Sequence, residues 1–337
     1  MVRRGLLSHA SPSKQQLTGF LAPYVYLHSQ EVYLPINTSQ HLKYTIPHLN
    51  YAKINYPPPS LTLDDLSDIS DELGRRQVFL TSPDDALSEP QWITGKGFTE
   101  PKNGHSKAKS TIIVPRFTRR LTDVFYFYFY GFNLGPKVGG LRFGNHVGDW
   151  ENTMIRFVDG VPKAVFFSQH ATGIAVDYAA VEKIGKRPVT YSANGTHANY
   201  PKAGTHSFLL PFHFLSDYTN RGMLWDPVLN TDIYTLNFTS SPLPPSNPWY
   251  APALQNPTAP IGWFHFDGFW GDRQLPVSDP RQYGAGGLWH WVNGPRGPRW
   301  KDLGRRNMCL DKFETYGRMP AEGACNIRMN LSEWERE

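Results

Sequence analysis

The sequence predicts a mainly β protein made of many short strands joined by long loops. Three observations carry that reading. Gly and Pro number 29 each in 337 residues, while charged residues make up only 19%; this sets aside coiled coil, helical repeat and disorder as the main state. The chain also holds 20 Phe, 17 Tyr and 10 Trp, and aromatic rings favour pleated, half-buried surfaces. Finally, Phe125-Tyr-Phe-Tyr-Phe-Tyr130 alternates two ring types at the strand period. Its three Phe rings therefore share one face and its three Tyr rings the other. One face is core, and the Tyr face is a second packed layer or the wall of a polar cleft.

In chain order, residues 1–18 read as a flexible tail and 19–337 as a single β-rich domain. Tyr24 to Pro35 predicts a first strand stopped by its proline. Leu61 to Leu73, rich in Asp and Ser, reads as turns or a short helix outside the core. Val78-Phe-Leu-Thr81 is a short strand halted by Ser82-Pro-Asp-Asp85, and residues 95–110 form a polar loop. Thr111–Val114, Val124–Gly131, Glu151–Val158, Ala164–Gln169 and Pro188–Ala193 are strands, with Asp159-Gly160 as a hairpin turn. Tyr178 to Ile184 suits one or two helical turns. Residues 241–260 contain seven prolines and read as an extended loop. From Ile261 onward the chain is rich in Trp and Gly and without periodicity.

The formal net charge is +5. Its basic residues are scattered, with small clusters at Arg119-Arg120 and from Arg296 to Arg306. No basic stripe is interleaved with aromatics, so nucleic acid is not an expected partner. No run of 18 apolar residues exists, so no transmembrane helix is expected. Met1 to Gln16 lacks the apolar centre of a signal peptide as written. The compartment stays open: cytoplasmic as written, secretory or vacuolar if the N-terminus is truncated. Cys309 and Cys325, 16 positions apart, either staple a terminal loop, stabilising it by about 3 kcal/mol, or are reduced thiols.

The residues that carry chemistry cluster around Gly144-Asn-His-Val-Gly-Asp-Trp-Glu151. On a strand starting near Asp149, Asp149 and Glu151 share one face and Trp150 takes the other. Gly148 permits a bend that brings His146 round to the carboxylates. Two carboxylates this close repel, and a divalent cation relieves them. Oxygen ligands with one imidazole suit Mg²⁺, Ca²⁺ or Mn²⁺; without a metal, the carboxylates form salt bridges to Lys or Arg. Further on, Ser168-Gln-His170 and Gly195-Thr-His197 each place a histidine where a strand yields to a turn, a common setting for functional side chains. The alternative is a histidine satisfied by backbone carbonyls in the turn. Short connections predict that the two strands are neighbours in one sheet, so His146, His170 and His197 are expected to line a single cleft.

Ala22-Pro-Tyr-Val-Tyr-Leu-His-Ser-Gln-Glu31, Phe125-Tyr-Phe-Tyr-Phe-Tyr130, the segment Gly144–Glu151, Met154-Ile-Arg-Phe157, Ser168-Gln-His-Ala171, Gly195-Thr-His-Ala-Asn-Tyr200, Leu224-Trp-Asp-Pro227, Trp270-Gly-Asp-Arg-Gln274 and Gly294-Pro-Arg-Gly-Pro298 resemble the vacuolar protein sorting-associated protein 62 family of fungi. The resemblance runs from about residue 20 to 326. Asn145-His-Val-Gly-Asp-Trp-Glu151 is also similar to the heptapeptide of the necrosis-inducing toxin family. That second likeness covers only about residues 124–172 and lacks the heptapeptide's Arg and second His, which are Val147 and Gly148 here.

The toxin likeness implies a twisted β-sandwich with an actinoporin-like centre, long irregular loops and a few short helices. It also implies a metal set of His146, Asp149 and Glu151, with Asn133 near the place of a further Asp. Two functions follow. One is an enzyme with a Mg²⁺ or Ca²⁺ site that uses His170 or His197 as acid or base on a phosphoryl, glycosyl or diphosphate substrate. The other is a non-catalytic module that binds a lipid head group, glycan or other small molecule in vacuolar sorting or secretion.

Overall fold

A computed structural model describes residues 21–54, 61–72, 78–116, 120–208, 215–237, 250–305, 307–309 and 327–331. The expected 1–18 tail, Cys325 and residues 241–249 of the proline-rich segment lie outside the described residues. The first elements are β1 (Tyr24–Leu27), α1 (Thr38–Tyr44), β2 (Ile46–Leu49), β3 (Ala52–Lys53), α2 (Asp65–Glu72), β4 (Val78–Thr81) and α3 (Gln91–Thr94). The long strands follow: β5 (Ser110–Arg116), β6 (Leu121–Asn133), β7 (His146–Val158), β8 (Val161–Gln169) and β9 (Thr172–Asp177). Then come β10 (Lys183–Ile184), β11 (Arg187–Ser192), β12 (Asn199–Tyr200), β13 (Gly204–Phe208), β14 (Leu215–Thr219), β15 (Met223–Trp225), β16 (Thr231–Asn237) and β17 (Tyr250–Pro252).

The chain is mainly β. A seven-stranded sheet runs β9–β8–β7–β6–β5–β16–β17, and a second sheet runs β10–β11–β1–β15, with β12 paired to β11. The alternating rings explain how the large sheet is covered. Phe125, Phe127 and Phe129 join Trp150, Met154 and Phe166 in a core with Leu66, Ile69, Val78, Trp263 and Trp270. Tyr126, Tyr128 and Tyr130 join Ile155, Phe157 and Phe167 in another core with Val25, Leu27 and Trp225 of the second sheet. The Tyr face is therefore a packed layer, and the large sheet is buried on both sides. Trp150 stacks on Trp263 at 5.6 Å and meets Trp270 edge-on at 5.4 Å, so the C-terminal Trp-rich segment caps the Phe face.

Several expectations change. The first strand ends at Leu27, not Pro35, because the chain turns at once: Glu31 N–H donates to the His28 carbonyl at 3.0 Å, and Gln30 N–H to His28 Nδ1 at 3.1 Å. Segment 61–73 does contribute to the core: α2 buries Leu66 and Ile69 completely, because these two apolar residues lie three apart on one helical face. Tyr178 to Ile184 is a turn leading into β10 rather than helix; the Lys183 ammonium donates to the carbonyls of Tyr178 and Val181, each at 2.7 Å. β7 begins at His146, earlier than expected, since Asn133 and His146 still pair across the β6–β7 ladder.

Candidate functional site

The site is assembled where β6 and β7 end together. Their register sets Tyr130 opposite Asp149, Tyr128 opposite Glu151 and Phe129 opposite Trp150. Asp149 and Glu151 therefore point to the Tyr side, as period two requires, while Trp150 anchors the strand in the Phe core. Gly148 has φ +69°, a conformation glycine adopts at little cost. A Cβ there would stand 1.9 Å from the Trp270 carbonyl oxygen, an oxygen that also accepts from the buried His41 at 3.1 Å. The strand start is tied to the C-terminal segment through Asn145, whose N–H donates to the His290 carbonyl and whose carbonyl accepts from Val292.

Each residue expected to hold a metal has one side-chain atom engaged and one that is not. Asp149 Oδ2 lies 3.0 Å from His197 Nδ1. Glu151 Oε2 accepts from the Ser168 hydroxyl. His146 Nδ1 is 2.7 Å from the Gly148 carbonyl oxygen, and Asn133 Nδ2 donates to the Gly144 carbonyl at 2.8 Å. Among the described residues, Asp149 Oδ1, Glu151 Oε1, His146 Nε2 and Asn133 Oδ1 make no hydrogen bond. A carbonyl oxygen only accepts, so Nδ1 of His146 carries the proton and Nε2 keeps its lone pair. Burial holds this imidazole below its usual pKa and hence neutral, although Asp149 opposes that. Among the described residues, no three His, Cys, Asp or Glu side chains are grouped so as to hold a metal ion.

Glu151 is almost fully buried. Burial first, and then the neighbouring Asp149, push its carboxyl up to about 8; Lys301, Ser168 and His170 oppose the rise. Its pair with Ser168 is framed by Asn152 N–H, which donates to the same hydroxyl at 2.8 Å, and by Asn199 Nδ2, 3.3 Å from it.

His197 lies beneath the site rather than on a cleft wall. Its side chain has no exposure, its φ is +56°, and its Nε2 faces the Tyr33 carbonyl at 3.0 Å and Glu31 Oε1 at 3.5 Å. Every partner of the ring is an acceptor, so both nitrogens carry protons and the ring is an imidazolium. Burial opposes that charge, but Glu31 and Asp149 overcome it and raise the pKa to about 10. Glu31 is itself held by the N–H groups of Val32, Tyr33 and Gly195, at 2.9, 2.9 and 2.7 Å.

His170 sits at the β8–β9 turn with φ +53°. Its Nε2 is 2.8 Å from Asp217 Oδ2, and a third of its side chain faces solvent (33%) while that of Asp217 has none. Asp217 also accepts from the Thr196 hydroxyl at 2.6 Å and the Tyr200 hydroxyl at 2.7 Å. The two histidines do not come from neighbouring strands of one sheet. β8 belongs to the large sheet and β11 to the second, and the two are linked through β12, which pairs with β11 and whose Asn199 carbonyl accepts from Gln169 Nε2 at 3.0 Å. Sequence reasoning missed Glu31, Asp217 and Lys301. Glu31 was hidden inside an apparent strand, and the other two carry no local signal.

The chain belongs to the vacuolar protein sorting-associated protein 62 family, whose model matches residues 5–208. It is similar to two proteins of Saccharomyces cerevisiae. It is 37% identical over 319 residues to the vacuolar protein sorting-associated protein TDA6, an alignment covering 85% of this chain and 66% of that protein. It is 34% identical over 321 residues to vacuolar protein sorting-associated protein 62, with 86% and 66% covered. The chain thus matches just under two thirds of these relatives' length. Similar solved structures include Necrosis and Ethylene inducing Protein 2 from the causal agent of cocoa's Witches Broom disease, at 15% identity and TM-score 0.28, covering 60% of this chain and 73% of that one. Another is the non-toxic HaNLP3 protein, at 13% identity and TM-score 0.29, covering 66% and 74%. Among the described residues no helix is long and apolar enough to cross a membrane.

Proposed function

We propose that this member of a vacuolar sorting family binds a divalent cation, Mg²⁺ or Ca²⁺, at Asp149, Glu151, His146 and Asn133, and uses it to recognise a polar ligand. The observation that carries the reading is the division of labour within each of these side chains. One atom is fixed by a neighbour, and the other keeps an acceptor lone pair that meets no donor among the described residues. Outer partners that orient metal ligands act in this way. The donors are not grouped for a metal as they stand, so binding requires their side chains to rotate onto the ion. The bound cation would neutralise the paired carboxylates and polarise a ligand oxygen.

The test is a thermal melt with and without millimolar Mg²⁺, Ca²⁺ and Mn²⁺. A rise through linkage is expected in the wild type, and Asp149→Asn should abolish it while leaving the metal-free melt nearly unchanged. A wild-type melt unmoved by all three ions overturns the reading.

A second reading, catalysis, is favoured by one arrangement: a partly exposed histidine oriented by a buried carboxylate, His170 on Asp217, as in general acid–base sites. Turnover of a phosphoryl or glycosyl substrate lost in His170→Gln, with ligand affinity unchanged, would establish it. Equal loss of affinity without any turnover would leave the binding module.

A further inference from the structure

Two small hairpins leave the molecule side by side. In the first, Lys137–Val138 pairs with Leu141–Arg142; in the second, Gly284–Ala285 pairs with Leu288–Trp289. Each closes on a Gly-Gly turn, Gly139-Gly140 and Gly286-Gly287, with all four φ angles positive, as the tight turn that suits strand twist requires. Among the described residues, a Cβ built on any of these four glycines would meet nothing within 4 Å, so both tips stand clear of the body.

The stems of the hairpins are bound together. Gly144 N–H donates to the Trp289 carbonyl and Asn145 N–H to the His290 carbonyl, each at 2.8 Å, and Asn145 pairs with Trp291 in parallel. Each hairpin immediately precedes its paired segment. Because those segments run parallel, the two tips point the same way. They also reach a similar level, since Gly140 precedes Asn145 by five positions and Gly287 precedes Trp291 by four. The bases are braced by the Tyr283 hydroxyl, which accepts from Arg142 N–H at 3.1 Å, and by the edge-on contact of Phe143 with Tyr283 at 6.0 Å.

Both prongs have the same layers. Beside each glycine turn is an apolar cross-strand pair, Val138 with Leu141 and Ala285 with Leu288. One step further from the tip come Lys137 with Arg142 and Gly284 with Trp289. Leu141 is 48% exposed, Lys137 is exposed and Trp289 half-buried. Residues 134–148 and 280–291 contain no Asp or Glu.

We propose that the paired hairpin tips dock this protein onto an anionic lipid surface. Apolar side chains outermost, with an ammonium and an indole one step behind, follow the depth order of a bilayer interface, where Trp sits at head-group level and Lys is drawn to anionic lipid. At about 3.3 Å per residue the turns reach about 7 Å beyond the level of Lys137 and Trp289, a depth to which interfacial segments bury their apolar side. Four bare glycines at the tips give a protein partner no side chains to grip, whereas a lipid interface needs none there. The first hairpin lies in the connection between β6 and β7, so docking brings the lipid surface to the end of the sheet where His146 and Asp149 lie.

The experiment is co-sedimentation of the full chain with phosphatidylcholine vesicles, with and without phosphatidylserine, in EDTA, which keeps it independent of the cation reading above. Binding is expected to the phosphatidylserine vesicles and should weaken with added salt. Leu141→Asp, at an exposed position, and Leu288→Asp should each weaken it by about tenfold or more, and Lys137→Gln by about fivefold. Melting curves of the three variants should stay close to that of the wild type. Sedimentation with neither vesicle, equal binding to both, or binding that Leu141→Asp leaves intact overturns the proposal. So does self-association without vesicles that Leu141→Asp abolishes, which would assign the tips to a second copy of the chain.

Discussion

The imidazole of His197 lies flat on the ring of Tyr130, with centroids 3.8 Å apart and planes within 7°. One residue comes from the turn after β11 and the other from the centre of the large sheet. The contact locks a positive ring over an aromatic face, between Glu31 and Asp149. Removing it leaves two buried carboxylates without their cation. We expect His197→Ala to destabilise by about 3–5 kcal/mol in urea denaturation, with His197→Gln costing less. The pKa is raised from 6.5 to about 10, so the stabilisation is complete below pH 6.5 and is lost as pH rises through 10. A variant as stable as the wild type at pH 6 would show that the ring is not charged.

Glu151 makes stability fall with rising pH, as His197 does, but over a window that includes neutrality. Its pKa is raised from 4.5 to about 8, so stability is greatest below pH 4.5 as far as this group is concerned and falls as pH rises through 8. Glu151→Gln should therefore melt higher than the wild type at pH 9, nearly level with it at pH 5, and show no response to Mg²⁺. In the wild type, a divalent ion must displace the Glu151 proton at pH 7, so cation affinity should rise with pH up to about 8. An affinity flat from pH 6 to 8 would separate Glu151 from the cation.

Gly148 carries two requirements at once, its positive φ and the space taken by the Trp270 carbonyl. Gly148→Ala should cost at least about 2 kcal/mol, combining left-handed strain with overpacking, and should weaken any cation response because Asp149 follows directly. A melt within a degree of the wild type would contradict the close approach.

Phe127 is fully buried within the Phe core, and Phe127→Ala should cost about 3–5 kcal/mol. Tyr128 is equally buried, but among the described residues its hydroxyl makes only a long bond to Thr153 at 3.4 Å. Tyr128→Phe should then cost about 1 kcal/mol or less. A larger loss in denaturant titration would mean that the hydroxyl belongs to a stronger polar network.

What depends on backbone periodicity could be read from the chain alone. The split of Phe and Tyr rings, the Asp159-Gly160 turn, the shared face of Asp149 and Glu151 and the glycine bend beside them each follow from residues a few positions apart. The turn positions of His170 and His197 were legible too, and both have positive φ. The tertiary structure decided which groups those side chains meet. Glu31 and Asp149 lie on opposite sides of His197, brought there from the turn after β1 and from β7, and Asp217 reaches His170 from β14. Leu66 and Ile69 became core only because the Phe face of the large sheet needed a cover. Such contacts join positions tens to more than a hundred residues apart through the packing of two sheets. Alternation along a strand names the face a residue occupies; only the packed sheets determine which side chains share it.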